Sequence, residues 1–248
     1  QAGELLLRID AAGLCHSDLS VVNGDRVRPM PMALGHEATG IVEAVGSDDT
    51  EFEVGDRVIL AFLPSCGECS RCTGGEPYMC GVGAKANGDG VLLNGGYRLH
   101  NECGHVHHHL GLSAFATHTV VDRRSAVKVD KDIPAEIAAL FGCAVLTGAG
   151  AVFNSAAMKE GESVLVYGLG GVGLSALLAA RAIGASTLVA VDPSAEKRAI
   201  ATELGAIALS PEEVAEKAPT IFPDGGPDLV SETVGRAAVL VAAYQVAR

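Results

Sequence analysis

Ser163-Val164-Leu165-Val166-Tyr167-Gly168-Leu169-Gly170-Gly171-Val172-Gly173-Leu174-Ser175-Ala176-Leu177-Leu178 is the stretch that decides the fold. Its first five residues read as a buried strand, the next six fit G-x-G-x-x-G, and the apolar run that follows reads as a helix. In that turn Gly168 permits a tight reversal, Gly170 lets the backbone approach a pyrophosphate, and Gly173 lets helix pack on strand. Gly171 and Val172 complete it, and the helix N-terminus offers free N–H groups to phosphates.

Downstream, Ser186–Val191 reads as a second strand. It ends at Asp192, nineteen residues after Gly173, where an acid is expected to meet an adenosine ribose. A carboxylate there accepts hydrogen bonds from ribose hydroxyls and repels a 2′-phosphate, which favours NAD over NADP. Lys197 is within reach of the same ribose, although a lysine on a helix surface is ordinarily just solvated. Ala195–Leu204 is helical, Asp228–Ser231 reads as a third strand, and Ala237–Arg248 is an apolar helical pattern. Strand alternating with helix in this order is half of a doubly wound parallel sheet, with the C-terminal half missing.

Upstream the pattern changes. Pro134-Ala135-Glu136 with apolar spacing behind it opens a helix. Before it, Leu5–Ala11, Thr39–Val45, Arg57–Phe62 and Ala116–Val121 are short strand candidates bounded by Gly, Pro and Asp, which suggests a small barrel or sandwich. Between them lies a turn-rich insert, Pro64 to Cys103. The expected class is therefore α/β, a β-rich domain over 1–144 carrying a lobe at 64–103, then a partial dinucleotide-binding domain over 145–248.

Composition agrees with this division. Of 248 residues 48% are hydrophobic but only 4% aromatic, with no Trp and 31 Gly, so the core is built from Ala, Val, Leu and Ile. Thirty acidic residues against eighteen basic ones give a formal charge of −12, which argues against nucleic-acid binding. Two uncharged runs, Ile137 to Met158 and Ser163 to Ala180, are long enough to cross a membrane, but clustered glycines break both. With no signal-peptide pattern, the reading is a cytoplasmic protein that binds no membrane. The ends, without an initiator Met and without a strand after the last helix, read as those of a fragment. Such a segment alone is expected to be aggregation-prone and inactive, with the lobe still able to bind metal.

Cys66, Cys69, Cys72 and Cys80 have the spacing C-x2-C-x2-C-x7-C in a loop that buries no core of its own. Four thiolates so placed fit a closed structural zinc site. Disulfides and an iron–sulfur cluster are the rivals, the first lacking an oxidising compartment and the second lacking the usual ferredoxin spacing. Cys15, His36 and Cys143 offer two thiolates and an imidazole with a fourth position open, the donor set of a catalytic zinc, but only a fold can assemble them. Cys103 is left over as a half-buried inert thiol. His105, His107, His108 and His109 read as partly exposed loop residues, because neighbours in sequence point in different directions.

Taken together, these pieces resemble the zinc-dependent medium-chain alcohol dehydrogenase family. Gly13–Asp18, Gly35-His36-Glu37, the four-cysteine lobe, His107–Gly111, Gly142-Cys143, Gly168–Gly173 and Val191-Asp192 occur in that family's order. The resemblance implies a GroES-like catalytic domain and a Rossmann domain with the active site in the cleft between them. It also implies two zinc ions per chain, NAD, and a small alcohol or aldehyde as substrate. Cys15, His36 and Cys143 then fall on catalytic zinc ligands, and Glu37 on an acid near that zinc. Asp18 falls on the carboxylate that orients His36, and Ser17 on the hydroxyl that takes the substrate proton. His16 is placed at the cofactor pyrophosphate, Thr147 beside the nicotinamide, and Phe62, His109 and Leu110 along the substrate pocket. Two departures stand out. Ser20 replaces a His common in relatives as the next proton-relay group, and His109 replaces a bulky apolar residue. Relatives pair through a strand beyond this segment, so a homo-oligomeric parent, a dimer or tetramer, is expected.

Overall fold

The computed structural model describes residues 1–47 and 51–248 and divides into two compact units, Gln1–Cys143 and Ala144–Arg248. Strands of the first unit are β1 (Glu4–Ala12), β2 (Met32–Ala33), β3 (Ala38–Val45), β4 (Arg57–Leu60), β5 (Leu99–Asn101), β6 (Gly104–His108), β7 (His118–Asp122) and β8 (Ala126–Lys128). Its helices are α1 (His16–Val22), α2 (Ser70–Thr73), α3 (Gly81–Asp89) and α4 (Ala135–Leu140). Five of the strands form one antiparallel sheet in the order β7-β1-β3-β4-β8, and β2-β6-β5 form a small second one. Alternation along β1 explains the core: Leu5 and Leu7 are fully buried with Val42, Val58, Leu60 and Val121, while Leu6 and Arg8 face outward. The sequence reading overlaps β1, β3, β4 and β7 but overlooks β2, β5, β6 and β8, which run to only two to five residues.

Glu4 breaks the pattern, being buried at the start of β1 with 3% exposure. Its carboxylate accepts hydrogen bonds from Arg98 Nε at 2.9 Å and Asn94 Nδ2 at 2.6 Å, so a charge removed from water is paired rather than stranded. The Arg98 backbone N–H in turn donates to His108 Nε2 at 3.1 Å. His108 is fully buried on β6, and burial followed by the Arg98 charge pushes its imidazole down to about 4. The loop assignment for His108 and His109 is thus corrected: both are completely buried, His108 at the end of a strand, while His105 remains exposed. Their polarity hid the burial.

A consequence follows for acid stability. The folded protein holds His108 neutral, whereas the unfolded chain takes up its proton near the ordinary value of about 6.5. This residue's contribution is therefore fully present above that value and lost as pH falls from about 6.5 toward 4, by up to about 3 kcal/mol. Urea unfolding at pH 7 and pH 4.5 should show a steeper loss in the parent protein than in His108→Phe. Equal pH slopes would reject it.

In the second unit, α5 (Leu146–Gly150) precedes β9 (Ser163–Tyr167), α6 (Gly171–Ile183), β10 (Thr187–Val191), α7 (Ala195–Glu203), β11 (Ile207–Leu209), α8 (Val214–Ile221), β12 (Leu229–Glu232) and α9 (Ala237–Val246). The sheet is wholly parallel, ordered β11-β10-β9-β12. Both faces of β9 are covered: Val164 and Val166 pack toward α6, Leu165 and Tyr167 toward α8 and α9. The sequence reading needs correction here. Asp228–Ser231 lies in the fourth strand, not the third, because β11 intervenes. After β11 the chain returns to the far side of β9, so β12 already belongs to the second half of a doubly wound sheet.

The apolar run Ala135–Ser155 is helical throughout and, by length and composition, long and apolar enough to cross a membrane. It is not uniform. Wide π turns at Phe141–Val145 and Ala151–Ser155 interrupt it, and the first carries Cys143.

Candidate metal centres and nucleotide turn

Cys15 caps α1. Its backbone N–H donates to Asp18 Oδ2 at 3.3 Å, and Asp18 is turned inward with 1% exposure. The other oxygen, Asp18 Oδ1, accepts the Gly35 N–H at 3.1 Å and the His36 Nδ1–H at 3.1 Å. With Nδ1 held by Asp18, the ring turns Nε2 toward Cys143 Sγ, 3.5 Å away. Cys143 Sγ is in turn 3.9 Å from Cys15 Sγ. Three donors separated by up to 128 residues thus converge at one point.

Cys143 gets there because residue 142 is glycine. A Cβ at Gly142 would sit 2.1 Å from the Leu60 carbonyl oxygen, so the helical run can lie against β4 only without a side chain there.

The cluster is electrostatically prepared for a cation. The hydrogen bond from Cys143, then His36, lowers Cys15 to about 3, while Cys15 and burial drive Cys143 well above the usual thiol range. Burial alone would raise Asp18, yet His109, His36 and the Gly35 N–H hold it well below the usual carboxylate range. Despite its burial, His36 rises to about 9 through Asp18 and Cys15. The charged His36 thus sits between the Cys15 thiolate and the Asp18 carboxylate, and a zinc ion would take the place of its Nε2 proton and of the Cys143 proton.

In the lobe, Sγ separations are 3.9 Å for Cys66–Cys72, 3.5 Å for Cys69–Cys72 and 4.0 Å for Cys69–Cys80. These are too long for disulfides and bracket the roughly 3.8 Å edge of a tetrahedron with Zn–S bonds of about 2.3 Å. Backbone N–H groups of Cys66 and Gly83 point at Cys80 Sγ, both at 3.3 Å, and Cys69 N–H at Cys66 Sγ, also 3.3 Å. Arg124 ties the lobe to the end of β7, donating to the Cys66 carbonyl at 3.1 Å and pairing with Asp122 at 2.8 Å.

In the second unit Gly168 has φ +87°, and a Cβ at Gly173 would fall 1.8 Å from the Gly168 carbonyl oxygen, so the turn closes only with glycine at both. A Cβ at Gly170 would meet nothing within 4 Å, which leaves open space above the N-terminus of the thirteen-residue α6. Asp192 is buried and already bonded: Oδ2 accepts the Leu169 N–H at 2.8 Å and Oδ1 the Ser194 N–H at 2.8 Å, with Lys197 Nζ 3.8 Å from Oδ2. An apolar cavity of about 650 Å³ lies beside this turn, lined by Tyr167, Gly168, Val191, Pro211, Val234 and Ala238 among others.

Comparison with known proteins finds two family profiles along the chain. The profile described as "Alcohol dehydrogenase GroES-like domain" matches residues 1–131, and that described as "Zinc-binding dehydrogenase" matches 171–248. The chain belongs to the zinc-dependent medium-chain alcohol dehydrogenase family. Geraniol dehydrogenase of Castellaniella defragrans is 44% identical over 205 residues, 82% of this chain and 54% of that protein. The chain therefore spans about half the length of this curated relative. An alcohol dehydrogenase zinc-binding domain protein from Burkholderia ambifaria superposes with a TM-score of 0.92 at 38% identity, covering 100% of this chain and 68% of that one. Benzyl alcohol dehydrogenase from Acinetobacter calcoaceticus gives 0.88 at 36%, covering 100% and 67%. The fold is that family's: a GroES-like domain and a nucleotide-binding domain.

Several residues placed by the family resemblance have neighbours that sequence alone did not show. His109 Nδ1 lies 3.1 Å from Asp18 Oδ1, its ring edge-on to His36 with centroids 5.3 Å apart. Phe62 meets His36 edge-on from 5.6 Å. The carboxylate of Glu37 lies over Gly13, where a Cβ would be 2.4 Å from its Oε1. Ser17 stands beside Cys15, where its backbone and side chain help hold the thiol below its ordinary range. Leu110 is buried with φ 53°, whereas His16 and Thr147 are exposed. Ser20 Oγ is engaged, donating to the His16 carbonyl at 3.0 Å. Cys103 is exposed, a correction to the half-buried reading.

Proposed function

We propose that the whole protein is a cytoplasmic, homo-oligomeric NAD-dependent zinc alcohol dehydrogenase, interconverting a small alcohol and its aldehyde. The observation that carries this reading is the convergence of Cys15, His36 and Cys143 in a chain that also gathers four lobe thiols. The domains are assigned as 1–144, catalytic with the lobe at 64–103, and 145–248, nucleotide-binding. Cys15, His36 and Cys143 would hold one zinc, and Cys66, Cys69, Cys72 and Cys80 the other. A zinc at the first set supplies a Lewis acid that stabilises negative charge on an alcohol oxygen, and the nicotinamide supplies the hydride acceptor.

The chain's own residues do the rest. Asp18 fixes the His36 ring, so that Nε2 faces the two cysteines. Ser17, beside Cys15, takes the substrate hydroxyl proton, and Glu37 lends negative charge near Cys143. Phe62, His109 and Leu110 bound the substrate. Gly168 to Gly173 receive the pyrophosphate on the α6 N-terminus, to which the family resemblance also assigns His16, and Asp192 and Lys197 face the ribose. Thr147 stands by the nicotinamide. The helix Ala135–Ser155 is read as a core helix rather than a membrane span, since Gly142 abuts the Leu60 carbonyl. The net charge of −12 supports the absence of nucleic-acid partners.

Geraniol dehydrogenase and benzyl alcohol dehydrogenase among the relatives make primary alcohols with an unsaturated or aromatic neighbour the first substrates to test. Growth of reduced-nicotinamide absorbance with such an alcohol, abolished by a zinc chelator, is the expected result. No turnover of any primary or secondary alcohol by zinc-loaded whole protein would overturn the proposal.

A further inference from the structure

Away from both cysteine clusters, the β5–β6 hairpin gathers histidines on one face. Asn101 pairs with Gly104, His100 with His105 and Leu99 with Val106, so Glu102 and Cys103 form a two-residue turn. The His100 and His105 rings are directly opposed across the strands, with centroids 4.9 Å apart at an interplanar angle of 58°. Tyr97 stacks on His105 at 4.7 Å and 14°, and meets His107 edge-on at 5.2 Å. It therefore stands between those two histidines. His107 is engaged separately, its Nδ1–H donating to the Asp89 carbonyl at 3.2 Å.

We propose that His100 and His105 form a surface site for a borderline divalent cation of the Ni²⁺, Cu²⁺ or Zn²⁺ class. Three observations carry it. First, directly opposed residues of an antiparallel pair hold their Cβ atoms about 4.5–5.5 Å apart, which suits two imidazoles closing on one ion at about 2.0–2.1 Å each. Second, both residues are exposed, His100 on the edge strand β5 and His105 opposite it on β6. Third, Tyr97 packs flat on His105, which restricts that ring before any metal arrives. Imidazole is a preferred ligand for these ions, and water completes the coordination. Unlike the cysteine clusters, two imidazoles with water completing the shell release the metal readily, so occupancy follows the free-ion concentration.

The test is calorimetric titration of Ni²⁺ into the whole protein with its thiolate sites already filled by zinc. Ni²⁺ is chosen because Cu²⁺ would oxidise the exposed Cys103. The expected result is one saturable Ni²⁺ site that weakens at least about tenfold in His100→Asn and in His105→Asn. His107→Asn, across Tyr97, should keep the parent affinity. Full affinity in either of the first two variants, or an equal loss in His107→Asn, would overturn the assignment. A measurement needing no variant is NMR line broadening by Ni²⁺ in the parent protein. The His100 and His105 rings should broaden first, and earlier broadening elsewhere is a refutation.

Discussion

Cys143→Ala protein should carry one zinc ion per chain in place of two and lose alcohol oxidation by at least about a thousandfold, or about 4 kcal/mol. The variant removes a thiol 3.5 Å from His36 Nε2 and 3.9 Å from Cys15 Sγ, leaving a two-donor site that cannot hold the ion against water. The lobe thiols lie elsewhere in the unit and should stay occupied. Elemental analysis with circular dichroism separates the outcomes. A folded variant that keeps two zinc ions, or keeps its activity, would mean that Cys143 is not a ligand. Alanine is well suited to helix, so the substitution itself should leave the helical run intact.

Asp192→Gly should relax the proposed preference for NAD without abolishing turnover, lowering the ratio of kcat/KM for NAD over NADP by about a hundredfold, roughly 3 kcal/mol. Two effects act together. Repulsion of a 2′-phosphate disappears, and so do the hydrogen bonds that a ribose would donate. The geometry adds a stability cost: Asp192 also accepts the Leu169 and Ser194 N–H groups, both at 2.8 Å, and the first of these braces the glycine turn. Thermal unfolding of the variant should therefore fall even without cofactor. Comparable efficiency of the parent protein with NAD and NADP would refute the reading of Asp192.

Local signals were legible in the sequence and long-range ones were not. Gly168 to Gly173 and Asp192 sit in one strand–turn–helix–strand unit, and the four lobe cysteines within fifteen residues, so spacing alone conveys their chemistry. Cys15, His36 and Cys143 are scattered over most of the first unit, and only family resemblance could group them. β11 escaped because three residues, Ile207-Ala208-Leu209, carry no periodicity, and its absence misnumbered β12. The contact of His109 with Asp18 had no signal at all, since a histidine run reads as polar surface until the fold buries part of it.

The contact of Gly142 with the Leu60 carbonyl reaches beyond this molecule, to how genomes are read for dead paralogues. A surviving set of seven cysteine and histidine ligands is commonly taken as proof of a working metalloenzyme. Yet a residue with no chemistry decides whether one of them arrives. Any side chain at 142 meets backbone at 2.1 Å and must push the thiol of its neighbour out of reach. Inactivating drift can thus begin at an inert position and leave every ligand codon untouched.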